Sequence, residues 1–436
     1  MYITDIELTD LRSFAGTNAV SLKHDDGGYA GWTVFASRNG AGKSTLLKAV
    51  ALSVIGPLAS RSVAGVFTDW VRQGASQSTI ATRLSFERLR DGFQSGGRTT
   101  KNPFWTGLKW TPNPHGPDAL DRWMEKESNA RQKVPDRGPW ADVPTGWFIA
   151  GYGPYRHLGP APAEVVKLSA DPVLARLVNL FNEGATLNEA VDWLKQVHLR
   201  ALENRPGAEQ LKADVLEMLA DGLLPDGSRV TKVDSEGLWI ERDAVTMPLE
   251  QVSDGYRTVA ALVVDILRRL HDAFGSLGIK QSTNGHKMCE LPGVVLIDEV
   301  DAHMHVSWQQ SLGFWLASRF PRIQFLVTTH SPFICQAASP GGIIRLPAPG
   351  EDHPMEAVPG SLDAVLTELF GLEHAHSTEA EQLRKAVADL EAKVIRGTAT
   401  PEEMRKYEEL KHRLTADLGE LADRKLRAVL VRATNA

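Results

Sequence analysis

The chain has 436 residues, 42% of them hydrophobic and 23% charged, with a formal net charge of −6. That balance is ordinary for a globular protein of two or three domains and excludes one that coats nucleic acid by bulk positive charge, though a local basic patch stays open. The two cysteines, Cys289 and Cys335, have neither metal-site spacing nor a disulfide framework, which suits a reducing cytosol.

In chain order, Met1-Tyr2-Ile3-Thr4-Asp5 has no leader pattern, and no apolar run approaches the ~20 residues of a membrane span. The expectation is a cytoplasmic protein with no membrane partner. Ile3, Ile6 and Leu8 recur at strand spacing, Ala19–Leu22 is a second short strand, and the apolar run 31–36 a third. Residues 79–89 read as another strand. Residues 91–146 are rich in Gly, Pro, Asn and Asp and carry Trp105, Trp110 and Trp123; they predict a hairpin and a long, partly mobile insertion. Trp147–Ala150 returns to a buried strand.

Residues 160–275 read as helical. Asp171-Pro172 opens a helix with Leu174, Leu177, Val178 and Phe181 inward, and Thr186-Leu187-Asn188-Glu189 has the form of a capping box. Leu211, Val215 and Leu219 mark a third helix. A β excursion at 229–248 precedes Tyr256–Phe274, whose Val259, Leu262, Ile266 and Leu270 form one stripe, and 276–291 reads as a loop. The continuous apolar runs 294–297 and 322–328 are strands buried on both faces. Mixed charge and few aromatics after 377, with Gly397 and Thr400-Pro401-Glu402-Glu403 as stop and start signals, predict a helical hairpin. Its charges fit a solvated face as well as a partner surface.

Four motifs carry chemistry. The first, Ser37-Arg38-Asn39-Gly40-Ala41-Gly42-Lys43-Ser44-Thr45, lies between a strand and a helix. Its glycines let the backbone N–H groups face phosphate oxygens, Lys43 reaches the outer phosphates, and the Ser44 hydroxyl suits Mg²⁺. Ser37 stands where such loops usually begin with glycine. The second motif is the strand ending in Asp298-Glu299, one carboxylate placed for Mg²⁺ and the next for an attacking water. The third is Thr328-Thr329-His330-Ser331-Pro332. Helix capping accounts for Ser331 and Pro332 but not for His330, which suits a γ-phosphate or the lytic water. The fourth is Ser253-Asp254-Gly255 at a helix start, either an ordinary cap or a second anion cradle on another lobe. Together they point to ATP with Mg²⁺.

At these residues, with Asp301 and His303 after Asp298-Glu299, the chain resembles the ABC-type ATPase heads of the SMC, RecF and OLD proteins over roughly residues 1–372. The resemblance implies an α/β P-loop head with a helical lobe, and two heads sandwiching two ATPs. In that arrangement Lys43 grips phosphate, Ser44 and Asp298 hold Mg²⁺, Glu299 activates water and His330 senses the γ-phosphate. Ser253, Asp254 and Gly255 act in trans, Asp301 couples the two sites, and Arg12 of Leu11-Arg12-Ser13-Phe14 flanks the nucleotide. Gln73 and Gln77 are candidates for the family's Q-loop glutamine.

The implied parts are a nucleotide lobe in two halves, 1–159 (with the insertion 91–146) and 286–373, a helical lobe at 160–285 with the signature motif, and a C-terminal helical hairpin at 374–436. No sustained heptads separate the phosphate loop from the signature, which disfavours the long coiled-coil branch. After His330 only Glu351-Asp352 and Glu368 stand out, with no strand-borne acidic pair, which disfavours a built-in nuclease. The stretches Ala150–Arg156, Leu223–Gly227 and Pro248–Thr258 resemble the compact Septu-like ATPases of anti-phage systems. That resemblance implies a homodimer or higher oligomer and an HNH-type nuclease partner, with nucleic acid as a further ligand. A RecF-like DNA-repair ATPase without a nuclease, and a nucleotide-binding scaffold of low turnover, are the alternatives.

Overall fold

The computed structural model describes residues 1–94, 100–127, 131–347, 354–358 and 378–413. It divides into two compact units, Met1–Val365 and Leu366–Ala436.

The first unit is an α/β fold built on two sheets. In the six-stranded sheet the order is Glu356–Ala357, Ile343–Arg345, Gly31–Ala36, Ile323–Thr328, Gly293–Ile297 and Ile149–Tyr152; all neighbours are parallel except the Glu356–Ala357 edge. The central strands Gly293–Ile297 and Ile323–Thr328 are buried at every residue, which is why they read as continuous apolar runs. The register pairs Tyr152 with Ile297, Ile297 with Val327, and Val327 with Val34. The C-terminal ends of four strands therefore form one row, the edge of an open parallel sheet where ligands bind.

The second sheet is antiparallel, in the order Thr17–Ser21, Tyr2–Thr9, Ser78–Ser85, Phe104–Thr111, Ala119–Arg122. The helix Lys43–Ala64 lies in the core shared by both sheets: Leu46, Leu47, Val50 and Val54 join Ile3, Ile6 and Ile80 on one side and Leu296 and Leu326 on the other. The fully buried Gln324 amide bridges the sheets, accepting from Ile3 N and donating to Ile3 O, both at 2.8 Å. A buried amide satisfied on both ends fixes one docking of the sheets.

Several expectations need correction. The segment 91–146 holds the expected hairpin, Phe104–Thr111 with Ala119–Arg122, but its strands extend the antiparallel sheet and so belong to the fold. Phe104, Thr106, Leu108 and Trp110 alternate inward along a sheet strand, and Trp110 stacks on Trp70 at 4.8 Å. Truncating a ring buried in this way generally costs about 3–5 kcal/mol. Trp140 packs on Gly56, whose φ of 83° kinks the phosphate-loop helix just before Pro57. The strand expected over 79–89 ends at Ser85. The segment 276–291 holds a small hairpin, Ile279–Gln281 with Lys287–Cys289. The capping box at Thr186 does not form: Asn188–Leu202 starts without a side-chain cap, and the Glu189 carboxylate is drawn to Arg268 at 3.0 Å and Arg269 at 3.7 Å. Finally, Lys43–Ala64 is long and apolar enough to cross a membrane by length and composition, yet 67% of that window is buried in the protein core. Core burial accounts for its hydropathy.

The helical region carries Asn188–Leu202, Ala208–Ala220, a three-stranded antiparallel sheet from Arg229 to Pro248, and the helix Asp254–Phe274. The last of these buries Val259, Leu262, Ile266 and Leu270, as the stripe predicts, and Gly275 caps it at φ 74°. It also buries Asp265, which accepts from the Tyr152 hydroxyl at 2.9 Å and so ties the helix to the edge strand of the parallel sheet.

In the second unit, Thr378–Ile395 and Pro401–Arg413 are helical. Here the capping box does form: Thr400 N donates to Glu403 at 2.9 Å, and Glu403 N to Thr400 Oγ1 at 3.2 Å. The Tyr407 hydroxyl reaches Glu391 across the pair. Glu351, Asp352 and Glu368 lie outside the described residues.

Candidate nucleotide site

The strand Gly31–Ala36 delivers the chain to the loop 37–42, and Gly40 and Gly42 take φ of 79° and 91°, conformations that need glycine. A Cβ on Gly42 would also stand 2.3 Å from Ser13 Oγ and 2.7 Å from the Phe14 ring. The Leu11–Phe14 stretch therefore abuts the phosphate loop, and the buried Ser13 hydroxyl has no protein partner among the described residues. Arg12 itself, at φ 50°, is exposed; its guanidinium lies over Trp70 at 4.8 Å and donates to Thr68 O.

Lys43 is 7% exposed, and its Nζ donates to the carbonyls of Ser37 at 3.0 Å and Arg38 at 3.3 Å. Ser37 is buried under the loop, Arg38, Asn39 and Gly40 are exposed, Ala41 and Thr45 are buried, and Ser44 is half-buried. Burial lowers the Lys43 pKa, and the charges of Asp298, Glu299 and Asp301 push it back up. The register of the parallel sheet thus brings the loop lysine and the second motif's carboxylates into one electrostatic cluster.

The threonines after the neighbouring strand build that cluster. Thr328 Oγ1 donates to the Asp298 carboxylate at 2.5 Å and accepts from Glu299 N at 2.8 Å. Asp298 N donates to Tyr152 O on the other side. Thr329 Oγ1 donates to Asp301 at 2.5 Å and accepts from Ser331 N at 2.9 Å. These roles follow from a parallel register that sequence reading did not have; the paired hydroxyls before His330 were the available signal. Glu299 and His303 sit at φ 45° and 64°, strained for residues with a Cβ, and the bond from Glu299 N to Thr328 Oγ1 holds the first of them. The guanidinium of Arg156, 3% exposed, reaches the carbonyls of the same turn; burial pulls its pKa down to about 10, against the opposing charges of Asp298, Asp301 and Glu299.

His330 is exposed, and its main-chain N donates to Asp301 at 3.3 Å. Ser331 does cap the short helix Pro332–Cys335. Although the residue is exposed, partial desolvation of the ring lowers the His330 pKa below 6.5, Lys43 acts in the same direction, and Asp301, Glu299 and Asp298 oppose. The ring is therefore neutral near pH 7 and able to accept a hydrogen bond. A histidine whose folded pKa is depressed gives stability that is complete above the unfolded value and lost as pH falls through the folded one. Between about pH 7.5 and 5.5, wild type should therefore lose more melting temperature than His330→Gln. Equal losses in thermal scans of the two proteins would contradict this account of the ring.

The signature motif begins the helix Asp254–Phe274, with Ser253 at its N-cap position making no side-chain capping bond. Ser253 and Asp254 are exposed, whereas Gly255 is buried, and a Cβ there would stand 2.6 Å from His303 O. Close approach to the turn after Asp301, and not backbone flexibility, is what demands glycine. Tyr256 packs on Trp308 at 5.2 Å, in the first turn of the helix Val306–Arg319. Gln73 and Gln77 are both exposed; Gln77 lines a depression on the antiparallel sheet with Glu7, Thr9 and Trp123, none of them a phosphate-loop residue.

Residues 154–336 match the protein family described as "AAA domain, putative AbiEii toxin, Type IV TA system". The match runs from just before Arg156 through the signature, Asp298-Glu299 and His330, with the phosphate loop preceding it. The chain is 24% identical to the Septu protein PtuA of Bacillus mycoides over 79% of its own length and 40% of that protein's. It is 35% identical to the Retron Ec83 probable ATPase of Escherichia coli over 30% of the chain and 23% of that protein. It thus spans less than half the length of these curated relatives. The structure of an SMC head bound to the C-winged helix domain of ScpA aligns over 82% of the chain and 98% of that head, at 16% identity and a TM-score of 0.47. Residues 154–336 thus resemble an AAA-type ATPase domain, and they lie on an α/β fold.

Proposed function

We propose that the chain is an ABC-type ATPase whose ATP-dependent head pairing controls a partner nuclease in anti-phage defence in the cytoplasm. The observation that carries the ATPase part is the convergence of Lys43, Asp298, Glu299, Asp301 and His330 at one edge of the parallel sheet, where their charges act on one another. The similarity to a Septu protein and to a retron ATPase supports the defence setting.

The residues present fit ATP with Mg²⁺. A glycine-turned loop before a helix N-terminus faces anions, Lys43 is held inside it, and Ser13 leaves a buried hydroxyl beside it. Among the described residues no cluster of three or more His, Cys, Asp or Glu could hold a metal by itself. Ser44 and Asp298 would supply only part of a shell, as is usual for Mg²⁺ completed by phosphate and water oxygens. In this reading Lys43 and the loop residues 37–45 bind phosphate, Arg12 flanks the nucleotide, and Glu299 takes the proton of the attacking water. His330 donates a ring N–H to the outer phosphate or accepts from the attacking water. Ser253, Asp254 and Gly255 face a second copy's nucleotide, and Asp301 couples the sites. In this division residues 1–159 and 286–373 belong to the nucleotide lobe and 160–285 to the signature lobe, while the terminal hairpin of 374–436 rests on Thr378–Ile395 and Pro401–Arg413, with 348–353, 359–377 and 414–436 outside the described residues.

The test of the partner claim is a search for an HNH nuclease gene beside this one, then co-expression of the two proteins and DNA cleavage across ATP concentrations. A stable complex whose cutting changes with ATP is the expected result. The absence of such a gene, or cutting indifferent to ATP, would overturn the control role and leave the ATPase reading standing.

A further inference from the structure

Arg156 follows the strand Ile149–Tyr152, and among the described residues every hydrogen bond it donates from its guanidinium goes to a main-chain carbonyl. Nη1 donates to Gly153 O at 2.7 Å and Asp298 O at 2.8 Å; Nη2 donates to Glu299 O at 2.9 Å and Val300 O at 3.4 Å. Three consecutive carbonyls of the turn are thus gathered by one side chain. Its own carbonyl accepts from Thr258 Oγ1, on the signature helix, at 3.0 Å.

We propose that Arg156 is a positioning residue that fixes the turn carrying Asp298, Glu299 and Asp301 and links it, through Thr258, to the signature helix. Buried carbonyls require donors, and a turn with its residue 299 in the left-handed region points several inward at once. The rigid planar fork of arginine can serve them together, whereas lysine presents three donors from a single nitrogen and cannot span them. At the far end of the same turn, His303 O lies against Gly255, one helical turn before Thr258. The segment 298–303 therefore meets the signature helix, whose first residues Ser253 and Asp254 are exposed, directly at His303 and through Arg156 and Thr258 at its other end. Engagement of Ser253 and Asp254 would be felt at Glu299 through two short contacts. Among the described residues the Arg156 guanidinium hydrogen-bonds neither the Glu299 carboxylate nor the phosphate loop, so its effect on turnover would act through the main chain. The kinetic half of this inference rests on the ATPase reading; the structural half does not.

Two full-length variants test it, Arg156→Lys and Thr258→Val, read by hydrogen exchange and by ATPase kinetics. In Arg156→Lys the amides of 298–304 should exchange about tenfold faster or more, while protection of the helix Lys43–Ala64 is unchanged. Its kcat should fall about tenfold or more with ATP affinity within about twofold. Thr258→Val should move the same quantities in the same direction by less. Unchanged exchange over 298–304 in both variants would overturn the proposal, as would kcat losses matched by equal losses of ATP affinity. If Arg156→Lys does not fold, Thr258→Val decides alone, since it leaves the buried cation in place. If wild type hydrolyses no ATP, the ATPase reading fails while the exchange measurement still decides the role of Arg156.

Discussion

Lys43→Ala is expected to lose ATP binding by roughly 100-fold or more, about 3 kcal/mol, the scale for removing one member of a buried charge cluster. Lys43 is the cation buried inside the phosphate loop, and it sits in the field of three carboxylates. Without it an incoming triphosphate meets Asp298, Glu299 and Asp301 with no neutralising charge from the loop lysine, so repulsion adds to the lost contact. The fold should survive, because the apolar core around Leu46, Leu47 and Val50 is untouched. Titration with a fluorescent ATP analogue reads the affinity, and circular dichroism confirms folding. Affinity near wild type in a folded Lys43→Ala protein would remove the phosphate-loop reading.

Glu299→Gln should have the opposite profile, binding ATP as wild type does while kcat drops about 100-fold or more, within the range for loss of a general base. The substitution preserves size, and the main-chain contacts that hold position 299 remain: its N donates to Thr328 Oγ1 and its carbonyl accepts from Arg156. Only the proton-accepting charge is lost. With hydrolysis blocked, the paired state should accumulate with ATP, visible as a shift to a larger species in light scattering. Retained turnover would assign the water-activating role to another group of this cluster, such as His330.

The parts of the site that could be read from sequence were the local ones. A strand, a glycine-rich loop and a helix lie within 34 consecutive residues, Gly31–Ala64, and a strand buried on both faces betrays itself as an unbroken apolar run. What brings Lys43 to Asp298 is the parallel register Tyr152–Ile297–Val327–Val34, set between strands far apart in the chain, and no local pattern encodes it. The bridging hydroxyls of Thr328 and Thr329 depend on that same register. A hairpin could be expected in 91–146, but the pairing of Phe104–Thr111 with Ser78–Ser85, which makes it part of the sheet, is again a matter of register between separated strands. At Thr186 local propensity lost to tertiary contact: Glu189 had the spacing of a capping partner, and two arginines of the signature helix took its carboxylate instead.

The central claim is that each nucleotide is completed by two copies of the chain, the phosphate loop from one and the exposed Ser253-Asp254 turn from the other. Mixing Lys43→Ala protein with Ser253→Arg protein tests it most directly. Each variant alone should be inactive. In a mixed dimer, one site would pair the intact loop of the Ser253→Arg chain with the intact signature of the Lys43→Ala chain, so half of that dimer's sites should recover hydrolysis. Recovery of ATPase activity on mixing is the predicted result; a mixture of two folded variants that stays as inactive as its components would contradict the account.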